Sequence, residues 1–431
     1  VSEDVRASSS ATLRGICGWL ALTQTCGFLL VLGAQASAGR SPAAGDLGPL
    51  LWYFAALSGT ALFFSLVKFQ GDPALPGAAL ALAGLGLLAQ FRMGALEGAG
   101  EWRPWLFVGG PAAMALVFTA LRGGRLAGLE RFGGLAALAS LALVAGILLT
   151  GQRFRGAVFA AGQLTPTELL KILVVLHLAA TLVRRREALS KPTWWGLLPA
   201  PSAWFSLAAY WGLLCGLLLL QRDLGMALIL SAVLAAMLLL ATGRMRYLLV
   251  TLAAAGGAGW LAWDRLAHSQ RRFQAWLDPF ADPTGSGWQI LQGLSGMFAG
   301  GLWGAGPGQG NPERIPIAAS DFIYAVIGEE FGYAGCLLVV AIYLVFFQRG
   351  FRVARTCPRL FEELLVGGLM AVFAVQTFVN LGGVTKAIPL TGVTLPFISQ
   401  GGSSFLISFV SLGLVLAASE PPPARRRGGR K

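Results

Sequence analysis

The chain has 431 residues, 55% of them hydrophobic and only 12% charged, with a formal net charge of +13. Ordinary soluble domains carry roughly a quarter charged residues, so this composition excludes a water-facing surface and points to a polytopic membrane protein. The positive charge falls in short clusters between apolar runs, a pattern that marks cytoplasmic loops and not a nucleic-acid-binding stripe.

Taken in chain order, apolar runs of membrane-spanning length predict an all-α bundle of about twelve spans. They lie near 15–34, 47–67, 73–92, 104–122, 132–150, 167–184, 203–220, 224–241, 247–263, 322–347, 362–383 and 403–419. The polar opening VSEDVRASSSATLR carries no expected signal-peptide cleavage site. With a cytoplasmic N-terminus, the arginine-rich clusters at 121–131, 184–191, 243–247 and 348–359 all face inward. The basic tail at 424–431 then also lies inside, where it can rest on anionic membrane lipids. Cys17, Cys26, Cys215, Cys336 and Cys357 lack metal-ligand spacing and read as small apolar packers without disulfides.

Three outward connections are long or unusual: 151–168, roughly 264–317, and 382–404. Within the second, WQILQGLSGMFAGGLWG is apolar, glycine-rich and short, and is expected to be an interfacial or re-entrant piece. The third is apolar yet broken by Pro389, Pro396 and a double glycine. Such backbone survives at membrane depth only when buried in protein or lining a wet cavity, so the three loops are expected to converge on one cavity.

The polar residues near these loops are the candidates for chemistry. Asp321 follows Ser320 at the start of an apolar run, which suits a helix N-cap. A carboxylate at a cavity mouth also suits a general base, and the two readings are compatible. Glu329 and Glu330 lie about 12 Å further along, turned by roughly 80° and 180° from Asp321. They are read as ion-pair members, with Lys386 and Arg314 as candidate partners. Glu168 and Lys171, at i, i+3, read as a structural pair, and Thr165-Pro166-Thr167 as a helix start. Gln221, Arg222 and Asp223 form either a plain turn or part of a site. Outward Arg153, Arg155, Arg222, Arg314 and Lys386 are either scattered cations or a receptor for an anion such as pyrophosphate. His177 and His268 belong to no ligand cluster, and no P-loop, GxSxG or CxxC element occurs.

Six blocks then become familiar together. TPTELLK (165–171), QRDLGMALIL (221–230), LDPFADPTGSGWQILQ (277–292), GGLWGAGPGQG (300–310), SDFIYAVIGEEFGYAG (320–335) and GGVTKAIPLTGVTLPFISQGGSS (382–404) stand in this order. They resemble, block by block, the SEDS proteins of the RodA/FtsW/SpoVE family. The resemblance implies a peptidoglycan glycosyltransferase that polymerises lipid II outside the cytoplasmic membrane of a bacterium, in an inverting step that releases undecaprenyl pyrophosphate. It implies Asp321 as the base at the acceptor hydroxyl, a class B penicillin-binding protein and other elongation or division proteins as partners, and no organic cofactor. Arg155 and Lys386 are the first candidates to meet the pyrophosphate, with Arg153, Arg314, Gln221, Asp223, Ser403 and Ser404 as further binding candidates. A divalent cation, Mg or Mn, could share that charge, although no metal ligands are assigned.

The implied division is an N-terminal tail with about four spans at 1–131, a catalytic core at 132–419 containing the large outward loop 264–320, and the tail 420–431. The family's ten spans leave two N-terminal helices of this chain unaccounted for. RFRGAVF lacks the family's Arg-Trp pair, Gln400 replaces a tyrosine and Arg222 a proline. The altered Arg-Trp block is the feature that keeps a rival open: a lipid-linked precursor flippase, or a non-catalytic scaffold, on the same bundle. VTKAIPLTG resembles the RodA branch, which implies elongation.

Overall fold

The structure, a computed structural model, describes residues 2–37, 39, 44–94, 105–154, 157–159, 167–191, 201–265 and 267–421. In chain order the helices are α1 (Ser2–Ser37), α2 (Gly48–Leu66), α3 (Ala74–Arg92), α4 (Leu106–Leu121), α5 (Gly133–Thr150), α6 (Thr167–Ser190), α7 (Pro201–Gln221), α8 (Leu224–Thr242), α9 (Met245–Arg265), α10 (Ala267–Leu277), α11 (Trp288–Gly300), α12 (Ile323–Thr356), α13 (Leu360–Val384) and α14 (Gly402–Ser419). Between α5 and α6 a small antiparallel hairpin pairs β1 (Gln152–Phe154) with β2 (Ala157–Phe159), the one departure from all-α among the described residues.

Each predicted span coincides with a helix, α1–α9 or α12–α14. Nine helices among the described residues are long and apolar enough to cross a membrane. The protein is a multi-span helical membrane protein. All five cysteines are free thiols.

α3 and α13 are central, each with 78% of its apolar window buried, against 28% for the peripheral α7. Lipid tails are as apolar as leucine, so helices here associate through close packing and interhelical hydrogen bonds. Gly86 on α3 is one such approach: a β-carbon there would lie 2.3 Å from Ile398 O. Beside it Gln90 Nε2 donates to the same carbonyl at 2.9 Å. Gln24 Nε2 to Gly84 O (2.8 Å) and Tyr53 OH to Leu80 O (2.8 Å) tie α1 and α2 onto α3.

The 264–317 connection is more regular than the sequence suggests, because it contains α10 and α11. α11 packs on α12 through glycines, with Gly293 against Phe322 and Gly300 against Gly328 O. Facing outward, Phe298 (89% exposed) and the following Trp303 (78%) form an apolar surface, as an interfacial element requires.

α12 is broken at Gly332, whose φ of +67° and ψ of −167° interrupt the helix. The backbone groups released by the break are taken by the loop after α11. Ala305 and Gly306 donate N–H to the carbonyls of Glu329 (2.9 Å) and Glu330 (3.0 Å), while Tyr333 and Ala334 donate to Gly301 (2.9 Å) and Leu302 (3.0 Å). A broken helix within a membrane bundle needs such internal satisfaction.

The two glutamates beside the break hold the same loop. Glu329 Oε1 accepts from Asn311 N–H (2.9 Å), and Glu330 Oε2 from Gly308 N–H (3.2 Å). Glu330 also pairs with Arg92 Nε at 3.2 Å, and Arg92 Nη2 donates to Gly310 O at 2.8 Å. For Glu330 the expected partners Lys386 and Arg314 are thus corrected to Arg92, whereas Glu329 meets the backbone of the loop and forms no ion pair among the described residues. α3 delivers that cation from 238 positions earlier in the chain, a proximity that spacing along the sequence does not encode.

Candidate active site

Asp321 lies in the turn that ends the long connection. Ser320 N–H closes the turn on Ile317 O (3.2 Å), and α12 begins at Ile323 with Phe322 as its N-cap and no side-chain cap. The N-cap reading of Asp321 is therefore corrected: the residue stands one position before the cap.

The turn is anchored to the irregular segment 386–400 between α13 and α14. Asn380 Nδ2 on α13 donates to Asp321 O (3.0 Å) and Val393 O (2.6 Å). Ser399 Oγ donates to Ser320 O (2.6 Å), and Gln400 N–H to Ala319 O (2.7 Å). Side chains satisfy further carbonyls of the segment, as irregular backbone inside a bundle demands. Gln376 Nε2 reaches Thr394 O (2.9 Å), Tyr343 OH reaches Pro396 O, and Arg272 Nη1 reaches Leu390 O (3.3 Å) and Thr391 O (3.0 Å).

The Asp321 carboxylate and the Arg272 guanidinium meet at Gly392. A β-carbon on that glycine would lie 3.4 Å from Asp321 Oδ2 and 3.9 Å from Arg272 Nη2. Its φ of +74° is one that side chains rarely adopt, so glycine here both makes the turn and leaves room between the charged groups. Burial lowers the Arg272 pKa, and the carboxylates of Asp321 and Asp223 push it back up. Asp223 caps α8 by accepting Met226 N–H at Oδ1 (2.9 Å). Burial raises its carboxyl pKa, against the pull of the Met226 amide, Lys171 and Arg272. Asp223→Ala is expected to cost about 1 kcal/mol of stability through the lost cap, which melting curves would read.

A second polar chain runs alongside. Lys171 Nζ donates to Glu168 Oε2 (2.7 Å) and Gln376 Oε1 (2.7 Å), and Thr394 Oγ1 shares a hydrogen bond with Ser404 Oγ (2.9 Å). Asp321, Asp223, Glu168, Lys171 and Ser404 are thus drawn together around one segment. Ser403 is buried in the first turn of α14. Lys386 has φ +61°, and its Nζ approaches Leu277 O at 3.5 Å while its carbonyl accepts Trp276 Nε1–H (3.0 Å). Other candidates lie elsewhere: Gln221 is buried and donates to Val144 O (2.9 Å), and Arg314 is exposed in the turn Pro312–Arg314. Arg222 takes φ +62° in the turn before α8. Arg153 lies on β1, its side chain outside the described residues; Arg155, Thr165, Pro166 and the tail 424–431 also lie outside them.

Sequence reasoning missed Arg272, Gln376 and Asn380. The last two carried a usable signal, as amides four residues apart in an otherwise apolar span, where polar groups are costly. Replacing Asn380 by Leu is expected to leave two backbone carbonyls without their donor, at about 1–3 kcal/mol. It should also loosen Asp321, so that kcat falls in Asn380→Leu and is partly restored in Asn380→Gln.

The description of the FtsW/RodA/SpoVE cell cycle proteins matches residues 110–421. A protein of Mycobacterium bovis named peptidoglycan glycosyltransferase RodA is 35% identical over 367 residues, covering 81% of this chain and 78% of its own. A probable peptidoglycan glycosyltransferase FtsW of Geobacter sp. is 33% identical over 324 residues, covering 74% of this chain and 79% of its own. Among solved structures, a chain from work on the structural coordination of polymerization and crosslinking by a peptidoglycan synthase complex superposes with a TM-score of 0.62 at 30% identity. That match covers 80% of this chain and 97% of the other. The family match takes in more than half of the chain, including Asp321, Arg272, Asn380 and Gly392, and the chain belongs to the FtsW/RodA/SpoVE family.

Proposed function

We propose that this protein is a peptidoglycan glycosyltransferase that polymerises lipid II. The carrying observation is a half-buried carboxylate, Asp321, held by its own backbone against segment 386–400 with the Arg272 guanidinium beside it. Asp321 takes the proton of the acceptor sugar's 4-hydroxyl as that oxygen attacks the anomeric carbon of the donor. The bond from that carbon to the pyrophosphate oxygen breaks on the opposite face, so the centre inverts and undecaprenyl pyrophosphate leaves with the bonding electrons. Its developing charge needs a cation, and Arg272 supports that role by its forked geometry and its place beside the base. Lys386, on the same segment, is a second cation for it.

Among the described residues no group of three or more His, Cys, Asp and Glu could hold a metal. The described residues therefore do not form a site that fits a divalent cation, and the pyrophosphate charge is assigned to Arg272 and Lys386.

The positive-inside pattern supports an inner-membrane protein with cytoplasmic termini and the Asp321 site facing outward. A class B penicillin-binding protein is the proposed partner, since polymerisation must be matched by crosslinking; likeness to a chain of a synthase complex supports this. The test is purified protein with lipid II, with and without the penicillin-binding protein, resolved by glycan length on a gel. Polymer is expected. Lipid movement across vesicles without polymer under any condition would support a flippase instead.

A further inference from the structure

Between α5, α6 and α7 lies a cavity of about 930 Å³ that shares no lining residue with the Asp321 site. It sits at the end of α6, where the apolar run gives way to arginines. Among the described residues Arg184, Arg185 and Lys191 line it against a single acid, Glu187, with hydroxyls from Ser206 and Tyr210. The two guanidiniums are held in place by backbone: Arg184 Nε donates to Ala180 O (3.1 Å), and Arg185 Nη1 to Ser202 O (3.2 Å) and Ala203 O (2.9 Å). Each keeps further N–H groups for a ligand, already oriented, which lowers the entropy lost on binding. Leu207 also lines a second cavity, of about 490 Å³ and mostly apolar, floored by Trp204, Trp211 and Leu238.

We infer that the two cavities together bind one anionic glycerophospholipid, its phosphate on Arg184, Arg185 and Lys191 and an acyl chain passing Leu207 into the apolar cavity. Three features select this ligand. Arginine forks match phosphate oxygens. A cationic pocket where spans meet the basic side is the setting in which lipid headgroups bind. The space suits a drug-sized amphiphile, whereas inorganic phosphate would fill only a small part of it and leave the apolar cavity unused. The inference is independent of the glycosyltransferase reading, because its readout is lipid binding.

The full chain in neutral detergent would be titrated with phosphatidylglycerol, with phosphatidylcholine of the same acyl chains, and with inorganic phosphate. Bound lipid is read by native mass spectrometry and the melting midpoint by thermal scan. Phosphatidylglycerol should be retained and raise the midpoint, and neither other probe should do so. Arg184→Gln with Lys191→Gln, both exposed positions, should weaken retention about 30-fold, at roughly 1 kcal/mol per cation. Should that pair fail to fold, Ser206→Trp, which narrows the cavity by one indole ring and keeps its charges, should by itself weaken retention. Equal retention of phosphatidylcholine, or unchanged retention in the variants, overturns the inference. If phosphate displaces the lipid and reproduces the midpoint shift, the site takes a soluble anion and the lipid assignment falls.

Discussion

Replacing Asp321 by asparagine is expected to lower lipid II polymerisation by about 10²–10⁴-fold, the usual contribution of a positioned general base. The substitution keeps the side chain's shape and removes its charge and its capacity to take a proton. It leaves the anchoring intact, because Asn380 and Ser399 bind the backbone carbonyls of Asp321 and Ser320 and not the carboxylate. Arg272 keeps its hydrogen bonds to Leu390 O and Thr391 O, so the melting midpoint should stay close to that of the parent. The measurement is glycan length on a gel over a time course, with both proteins at matched folded concentration. Equal polymer from the two would end the assignment of Asp321 as base. A parallel loss of fold would instead show that the carboxylate is part of the packing.

The bundle was legible because the bilayer imposes its constraint residue by residue: a span must be apolar for its whole length, and that can be read without knowing its neighbours. The site was legible only where a local block carried it. Asp321 stood out through its block, but its local role did not follow from the Ser-Asp pair that precedes the apolar run. The competing force was tertiary, since Ser399 and Gln400 pull residues 319–320 into a turn and delay the helix to Ile323. Arg272 was hidden because an arginine on a short amphipathic helix resembles any surface cation. Only the fold brings α10 against residues 390–392, nearly 120 positions later. The interfacial piece was expected, but that it is a regular helix, α11, was hidden for the opposite reason: its glycines weaken helix propensity, and the packing they permit against Phe322, Ile315 and Gly328 restores it.

The same interlocking backbone makes Gly332→Val the most damaging substitution expected outside the catalytic group. Valine would have to adopt φ near +67°, a region forbidding for a β-branched side chain. Its β-carbon would lie 2.3 Å from Gly304 N and 2.5 Å from Leu302 O, contacts with backbone that cannot swing aside. Relief requires the 301–306 loop to retreat, which breaks the four hydrogen bonds from that loop to residues 329–334 and strands their buried groups. A loss of about 3–5 kcal/mol is expected, in the range reserved for backbone strain combined with lost buried hydrogen bonds. A thermal scan in detergent would read it, with Gly216→Ala on α7 as the control. A β-carbon at Gly216 meets nothing within 4 Å, and alanine favours the helix, so its midpoint should hold or rise. Polymerisation should fall in the valine variant by more than the unfolded fraction accounts for. The break sets the direction of residues 323–331, and Asp321 stands at the head of that half-helix, so a shift of about 1 Å there moves the base off the acceptor hydroxyl. A Gly332→Val protein that melts like the parent would mean that the loop does not hold the break, and that Asp321 is positioned by segment 386–400 alone.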